Sequence, residues 1–168
     1  MKLNSIFKRR SIRKYVDDPI SDEDLDRIIE AGQCAPTAMG KRPWHFIVIR
    51  KREILDRIPK IHPYAKMVSE SNLAVIVCGD TRIQNVEGYM SQDLSAATQN
   101  ILLEATDLGI GSVWCGIYPR TGRISGFREL LNIPEEIVPF SLIVLGYPAV
   151  EPEYRDRFDP ERIHREGW

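Results

Sequence analysis

The chain has 168 residues, of which 43% are hydrophobic and 28% charged, a balance typical of a globular domain and not of a disordered or fibrous chain. Its 23 Lys and Arg residues against 24 Asp and Glu residues leave a net charge of −1, which argues against nucleic acid or an anionic membrane surface as the main partner. No apolar run approaches the ~20 residues of a membrane span, and the three widely spaced cysteines predict a reducing, cytoplasmic setting without a disulfide framework or a CxxC metal site.

The predicted secondary structure alternates between helices and strands without a linker or a repeat, which predicts one domain over residues 1–168. Ser21 is the predicted N-cap of the second helix, because Asp24 stands three residues later and apolar residues then recur on one face. In chain order the predicted elements are a short helix at 4–8, a helix from 21 to about 32, a strand at 43–50, a short helix at 51–59, a strand at 73–78 that is apolar throughout and so buried on both faces, a long helix at 87–108, a strand at 112–115, a helix at 122–131 and a strand at 140–145.

The long helix at 87–108 is apolar over much of its circumference. Its main stripe follows helical spacing as far as Leu108, and Gly109 stands where a C-terminal cap is expected. Further apolar residues lie on other faces, namely Ala96, Leu102 and Leu103. A chain of 168 residues has little material to surround such a helix, which favours a subunit interface over a place inside a monomer.

Three arginines and a serine lie within five residues, at Arg9, Arg10, Ser11 and Arg13. Arginine offers paired donors to phosphate oxygens, and the serine hydroxyl adds another. In an extended segment Arg9, Ser11 and Arg13 project to one side, and Arg10 projects to the other unless a local turn redirects it. The segment is therefore a candidate phosphate site, and the alternative is a solvated basic tail that pairs with the acidic residues at 17–30.

Three further stretches are candidate ligand sites. The loop at 35–44 combines small residues with a glycine, so its backbone can approach a flat ligand, although a plain helix-to-strand connection has the same composition. The glycines at 109–116 follow a helix and precede a strand, which is the wrong order for a dinucleotide-binding loop, but Gly116 is a candidate backbone donor. Near the C-terminus, Arg155 and Arg157 add two cations to a segment that is otherwise typical of a frayed tail.

Several common chemistries have no support in the sequence. The histidines show no metal-ligand spacing with one another or with the cysteines, so no metal site is predicted. The chain has no GxSxG elbow and no P-loop, and Cys115 in an apolar strand is expected to be a buried, unreactive thiol.

Five segments occur together in the order that the FMN-dependent nitroreductase family shows, and nearly the whole chain resembles the compact branch of that family. The segments are RRSIRKY at 9–15, APTAMGKRPWHF at 35–46, SQDLSAATQNILLEATDLGIGSVWCGIYP at 91–119, LLNIPEEIVPFSLIVLGYP at 130–148 and RFDPERIHREGW at 157–168. The resemblance implies an α+β fold with a mixed, mainly antiparallel sheet flanked by helices, in an obligate homodimer.

The resemblance also implies two FMN molecules at the dimer interface, each contacted by both subunits. The matching residues are Arg9, Arg10, Ser11 and Arg13 for the phosphate and the flavin ring, Arg157 with Arg155 for the C-terminal phosphate contact, Thr37 and Ala38 for the loop that reaches the FMN of the other subunit, and Trp114, Cys115 and Gly116 for the segment along the isoalloxazine, with backbone N–H groups near N5. The chain departs from the family where Gly40 and Arg42 replace a common Asn and Gln, which is expected to add positive charge to the pocket edge.

The activity that the resemblance implies is a ping-pong cycle, in which NAD(P)H passes hydride to flavin N5 and a small-molecule acceptor such as a nitroaromatic or a quinone then takes it. No side-chain acid or base is needed for hydride transfer, so we assign no catalytic residue. The alternatives are another reaction on the same scaffold, such as reductive dehalogenation or flavin breakdown, a flavin-binding protein for storage or redox sensing, and an interaction protein with a basic tail and no flavin.

Overall fold

A four-stranded sheet forms the centre of the fold, with its strands in the order β1-β2-β4-β3. The strands are β1 (Trp44–Ile49), β2 (Leu73–Asp80), β3 (Gly111–Gly116) and β4 (Ile137–Gly146), and all three pairings between them are antiparallel. A parallel bridge joins Ser11 to Ser112 beside β3. The computed structural model describes residues 4–151, 153 and 156–168. The predicted α+β fold with a mainly antiparallel sheet is confirmed.

Helices cover both faces of the sheet, because alternate residues of its central strands point to two separate cores. Val75 and Val77 pack with α2 (Asp22–Gln33) and α5 (Glu87–Asp107). Ile76 and Cys78 face the opposite core, to which α3, α4 and α6 contribute apolar side chains. Those helices are α3 (Arg52–Leu55), α4 (Ile58–Ile61) and α6 (Thr121–Leu131), and α1 (Asn4–Lys8) packs against α5. Every residue of β2 is buried, as its apolar run predicted.

The predicted helix boundaries hold where capping chemistry is strong. The Ser21 side chain accepts a hydrogen bond from the Asp24 backbone N–H at 3.0 Å, so α2 begins after the predicted cap. After α5, Gly109 adopts a φ of +74°, a left-handed conformation that glycine reaches without a steric penalty. None of the helices in the described residues is long and apolar enough to cross a membrane.

Two proline effects displaced the predicted boundaries. The single helix predicted at 51–59 is wrong: α3 and α4 are separate single turns, because Pro59 has no N–H with which to continue α3 but fits the first turn of α4. β4 begins before the predicted residue 140 and includes Pro139. A shift in register between Val77 and Cys78 accommodates this proline, since Val77 pairs with Ser141 and Cys78 with Pro139.

The C-terminal tail beyond residue 150 has almost no cover from the rest of the chain. Apart from the half-buried Asp159, all of its described residues are exposed. Phe158 is 74% exposed and Trp168 is fully exposed. A short 3-10 turn at Pro160–Arg162 is the regular structure in this tail as described. Large apolar side chains in that state are typical of a segment that packs on another molecule.

A buried carboxylate closes the turn after β2. Asp80 is almost fully buried and accepts hydrogen bonds from the Arg82 backbone N–H at 2.9 Å and from Arg82 Nη2 at 2.6 Å. These bonds lower the pKa of Asp80 to about 2. The Asp80 backbone N–H donates to Pro43 O at 2.8 Å, so the same turn ties β2 to the loop before β1.

Acid is expected to weaken this turn. The folded pKa of Asp80 is about 2 and lies below the unfolded value, so its carboxylate stabilises the fold above about pH 4 and the contribution is lost as the pH falls towards 2. Arg82→Met leaves the carboxylate without its guanidinium. In urea unfolding of the two proteins at a series of pH values, the loss of stability in Arg82→Met should be largest near neutral pH and shrink below about pH 4. A loss that grows in acid would contradict this role for Asp80.

Candidate cofactor site

The arginine-rich segment after α1 lines a cleft of about 470 Å³ together with the start of the C-terminal tail. The polar residues that line it are Arg10, Ser11, Arg13, Lys14, Glu151, Glu153 and Arg157. Arg9 lies close by: burial lowers the pKa of Arg9, and the neighbouring charges of Arg157 and Arg10 lower it further. The cleft therefore brings the N-terminal arginines to Arg157 from the far end of the chain, while Arg155 lies outside the described residues.

Hydrogen bonds to the sheet fix this segment in place. The Ile12 backbone N–H donates to Ser112 O at 2.9 Å, and the buried Tyr15 hydroxyl donates to Ile12 O at 2.6 Å. Arg10 lines the cleft and Arg9 is not among its lining residues, which is the case expected when a local turn redirects Arg10. The reason is that the Arg9 backbone N–H still donates to Ser5 O at 2.8 Å, so the chain is not yet extended there.

The charge in this cleft suits an anion. In the part of the chain that the structure describes, no carboxylate forms an ion pair with Arg9, Arg13 or Arg157. Guanidinium groups that repel one another and lack carboxylate partners gain most from a ligand with two negative charges and several acceptor oxygens. The donor set therefore fits a phosphate group such as that of FMN.

The strand β3, which the Ser11–Ser112 bridge joins to the arginine segment, presents an exposed aromatic side chain. Trp114 is 36% exposed although its neighbours in β3 are buried, and its ring is 6.1 Å from that of Phe140. Cys115 points the other way, into the core with α6, where burial raises the pKa of its thiol to about 11. The expectation of a buried thiol is confirmed, and Cys115 offers a ligand on the Trp114 side only its backbone.

Gly116 ends β3 next to open space. A Cβ added there would meet only Tyr118 O, at 4.0 Å, so the fold itself does not require glycine at this position. Its carbonyl oxygen accepts a hydrogen bond from Arg123 Nη1 at 2.6 Å and lies 3.0 Å from His62 Nε2. Neither His62 nor Arg123 carried a signal in the sequence, because both reach Gly116 through tertiary contacts.

The loop with Thr37 and Ala38 is held in an irregular conformation. The Ala38 backbone N–H donates to the buried Asp93 Oδ1 at 2.8 Å, and Thr37 Oγ1 accepts from the Arg42 backbone N–H at 3.1 Å. Met39 and Arg42 both have positive φ, at 56° and 51°, which is a strained backbone for these residue types. The Arg42 guanidinium lies 5.9 Å from the centre of the Trp44 ring, in cation–π range.

Helix α5 separates this loop from β3. Phe46, Val77, Ser141 and Gly116 form one row across the sheet, so β1 and β3 are three strand spacings apart, or ~14 Å. Thr98 of α5 is hydrogen-bonded to Ser141 in the middle of this row at 2.9 Å, which places α5 above it. The Thr37–Ala38 loop contacts α5 and leads into β1, whereas β3, which carries Trp114 and is bridged to the arginine segment, also contacts α5 and lies at the other edge of the sheet.

Comparison with known proteins agrees with the resemblance seen in the sequence. The profile of the nitroreductase family matches residues 6–77 and 83–147. The chain belongs to the nitroreductase family. A relative from Methanothermobacter thermautotrophicus is 52% identical over 99% of this chain and 87% of its own length, and it carries the provisional name NADH dehydrogenase/NAD(P)H nitroreductase.

Solved structures of the nitroreductase family share this fold. An FMN-dependent nitroreductase from Clostridium difficile R20291 superposes with a TM-score of 0.92 at 28% identity, covering 99% of this chain and 100% of that one. A protein from Desulfovibrio desulfuricans, provisionally named a nitroreductase and solved in complex with FMN, has a TM-score of 0.84 at 31% identity, covering 99% and 96% of the two chains. The sheet and its flanking helices are thus those of the family.

Proposed function

We propose that this nitroreductase-family protein is an FMN-dependent oxidoreductase that takes hydride from NAD(P)H and passes it to a nitroaromatic, a quinone or a similar small acceptor. The observation that carries the proposal is a cleft in which Arg13 and Arg157 form no ion pair with a carboxylate of the described residues, next to a strand that exposes Trp114. The positive charges of the cleft suit a phosphate, and the exposed Trp114 ring suits contact with a flat ring. The names of the relatives, which include NAD(P)H nitroreductase and FMN reductase, support the same chemistry.

In this proposal the chain binds the two ends of FMN with different groups. Arg9, Ser11, Arg13 and Arg157 hold the phosphate, with Arg155 as a further predicted contact. Trp114 and the backbone of Cys115 and Gly116 border the ring. When bound, FMN supplies the hydride chemistry, so the protein needs no acid or base of its own. Arg10 or Arg13 is our candidate for the cation that offsets negative charge on the reduced ring.

We also propose a homodimer in which Thr37 and Ala38 of one subunit border the ring held by the other. Support comes from α5, which lies between this loop and β3 within one chain, and from the uncovered apolar side chains of the tail. A second copy of the chain supplies the cover that the tail lacks. Three cysteines that form no disulfide support our further proposal of a cytoplasmic location.

The purified protein tests this function directly. We expect it to be yellow, to release FMN on denaturation and to oxidise NADH or NADPH in the presence of an uncharged nitroaromatic or a quinone. The two half-reactions are measured separately by stopped flow, since ping-pong kinetics require reduction to be complete before the acceptor reacts. A flavin that NAD(P)H reduces but no acceptor reoxidises would favour a redox sensor, and a protein that binds no FMN would refute the proposal.

The open space at Gly116 gives a sharper test of the ring's position. Because a new Cβ there meets no steric obstacle within the chain, Gly116→Val is expected to fold but to push the flavin away from the backbone. We expect FMN affinity or the rate of flavin reduction to fall at least tenfold, or ~1.4 kcal/mol. Gly122→Val is the matched control, since a Cβ at Gly122 also meets open space. Wild-type flavin content and reduction rate in Gly116→Val would remove this residue from the site.

A further inference from the structure

The carbonyl group of Gly116 is held by two side chains that the proposed hydride transfer does not use. Arg123 donates from Nη1 at 2.6 Å, and His62 Nε2 lies at 3.0 Å. A carbonyl oxygen has two lone pairs, so both are occupied when His62 carries its proton on Nε2. The donors come from α6 and from the residue that follows α4, on the side of the sheet opposite α5.

The neighbouring peptides are fixed as well. The backbone N–H groups of Ile117 and Tyr118 both donate to Phe140 O, each at 3.0 Å. Because of the register shift between β2 and β4, Phe140 has no paired residue in β2. Three consecutive residues from Gly116 are therefore held by hydrogen bonds at the point where β3 meets the candidate ring position.

The burial of His62 against Gly116 lowers the stability of the fold, so stability alone does not explain the contact. His62 is 2% exposed, and its Nδ1 atom is buried without a hydrogen-bond partner among the described residues. An unpartnered buried polar atom destabilises the fold, and the carbonyl group at an exposed strand end could bind water instead. Burial also lowers the pKa of His62, which keeps the imidazole neutral and able to donate from Nε2 alone.

Arg123 brings a permanent positive charge to the same carbonyl. Its guanidinium lies 5.6 Å from the centre of the Tyr64 ring, a cation–π contact that restrains it. In the described part of the chain no carboxylate forms an ion pair with Arg123. The charge is therefore not neutralised locally, and its field extends to the space beside Gly116.

We propose that His62 and Arg123 are positioning residues, which fix the Gly116 peptide against the flavin, and that the Arg123 charge favours the reduced, negatively charged form of the ring. This inference rests on the proposed FMN site. His62 supplies geometry, because it holds the peptide without adding charge. Arg123 supplies both geometry and charge, so the two residues are expected to differ in how they discriminate between oxidised and reduced FMN.

The test compares the Kd of oxidised and of reduced FMN in four variants. Arg123→Met is expected to weaken the binding of reduced FMN at least tenfold more than that of oxidised FMN, which equals a fall of about 30 mV in a two-electron potential. Arg123→Lys keeps the charge and is expected to keep the ratio of the two constants within about threefold. His62→Leu is expected to weaken both forms at least threefold and equally, whereas His62→Gln, which retains an amide donor, restores the affinity.

Arg128→Met is the matched control on the same helix. Arg128 Nη2 also donates to backbone carbonyls, those of Glu135 and Ile137, but away from Gly116. If the ratio of the Kd values for reduced and oxidised FMN in Arg123→Met equals the ratio in wild type or in Arg128→Met, the role of the charge is overturned. Full affinity in His62→Leu, or no recovery in His62→Gln, would overturn the role of His62. Failure of wild type to bind FMN would refute the proposed function instead, before any variant is made.

Discussion

Replacing Arg13 by alanine is expected to remove most of the protein's affinity for FMN. Arg13 lines the cleft and has no carboxylate partner in the described chain, so its guanidinium is available to the phosphate. Hydrogen bonds to a charged group contribute ~1.5–3 kcal/mol, and Arg13→Ala should therefore raise the Kd for FMN by roughly 10- to 150-fold. Oxidised riboflavin, which has neither a phosphate nor a negatively charged ring, should bind wild type and variant alike.

Titration of the apoprotein, followed through the quenching of flavin fluorescence, measures both constants. Arg57→Ala is the control, because Arg57 is an exposed arginine between α3 and α4, where it does not line the cleft. The dependence of log Kd on salt should also become less steep in Arg13→Ala but not in Arg57→Ala. If Arg13→Ala retains FMN through gel filtration as well as wild type does, the segment is a solvated basic tail.

Mixing two inactive subunits is expected to restore half of the flavin sites. The proposed site takes Arg13 from one subunit and Ala38 from the other, since α5 separates them within a chain. Arg13→Ala damages the phosphate end, and Ala38→Trp places a bulky side chain where the partner's ring would lie. In a heterodimer of the two variants, one site carries both defects and the other carries neither.

The experiment uses two affinity tags, so that the heterodimer is isolated after co-expression. We expect each variant homodimer to lose nearly all bound FMN and the heterodimer to hold about one FMN per dimer, with about half of the wild-type turnover per dimer. Heterodimers without FMN would show that both residues act within one subunit. A folded monomer in light scattering at low concentration would refute the dimer itself.

Local chemistry made most of the fold predictable. The Ser21 cap, the glycine after α5 and the continuous apolar run of β2 each specify structure within a few residues, and each prediction is confirmed. The errors came from prolines whose effect depends on distant groups. Pro139 would break an isolated strand, but a shift in register against β2 accommodates it, and nothing near Pro139 in the sequence indicates that shift.

The same distinction between local patterns and distant contacts applies to the candidate site. Its arginines stand together in sequence, so their cluster was predictable, although which of them enters the cleft depends on where α1 stops. His62 shows no local pattern that indicates a role at Gly116. Its contact with Gly116 spans 54 residues, and no sequence pattern encodes a contact of that range.

The position of α5 between the two halves of the site has a consequence for how the protein accumulates. A ligand that binds only where two chains meet is thermodynamically linked to their association, so each FMN bound shifts the monomer–dimer equilibrium towards the dimer by mass action. Subunits made when flavin is scarce would then associate less and expose the aromatic side chains of their tails, Phe158 and Trp168, to proteases and to aggregation. Under the composite site proposed here, the supply of flavin sets the amount of assembled protein as well as its activity.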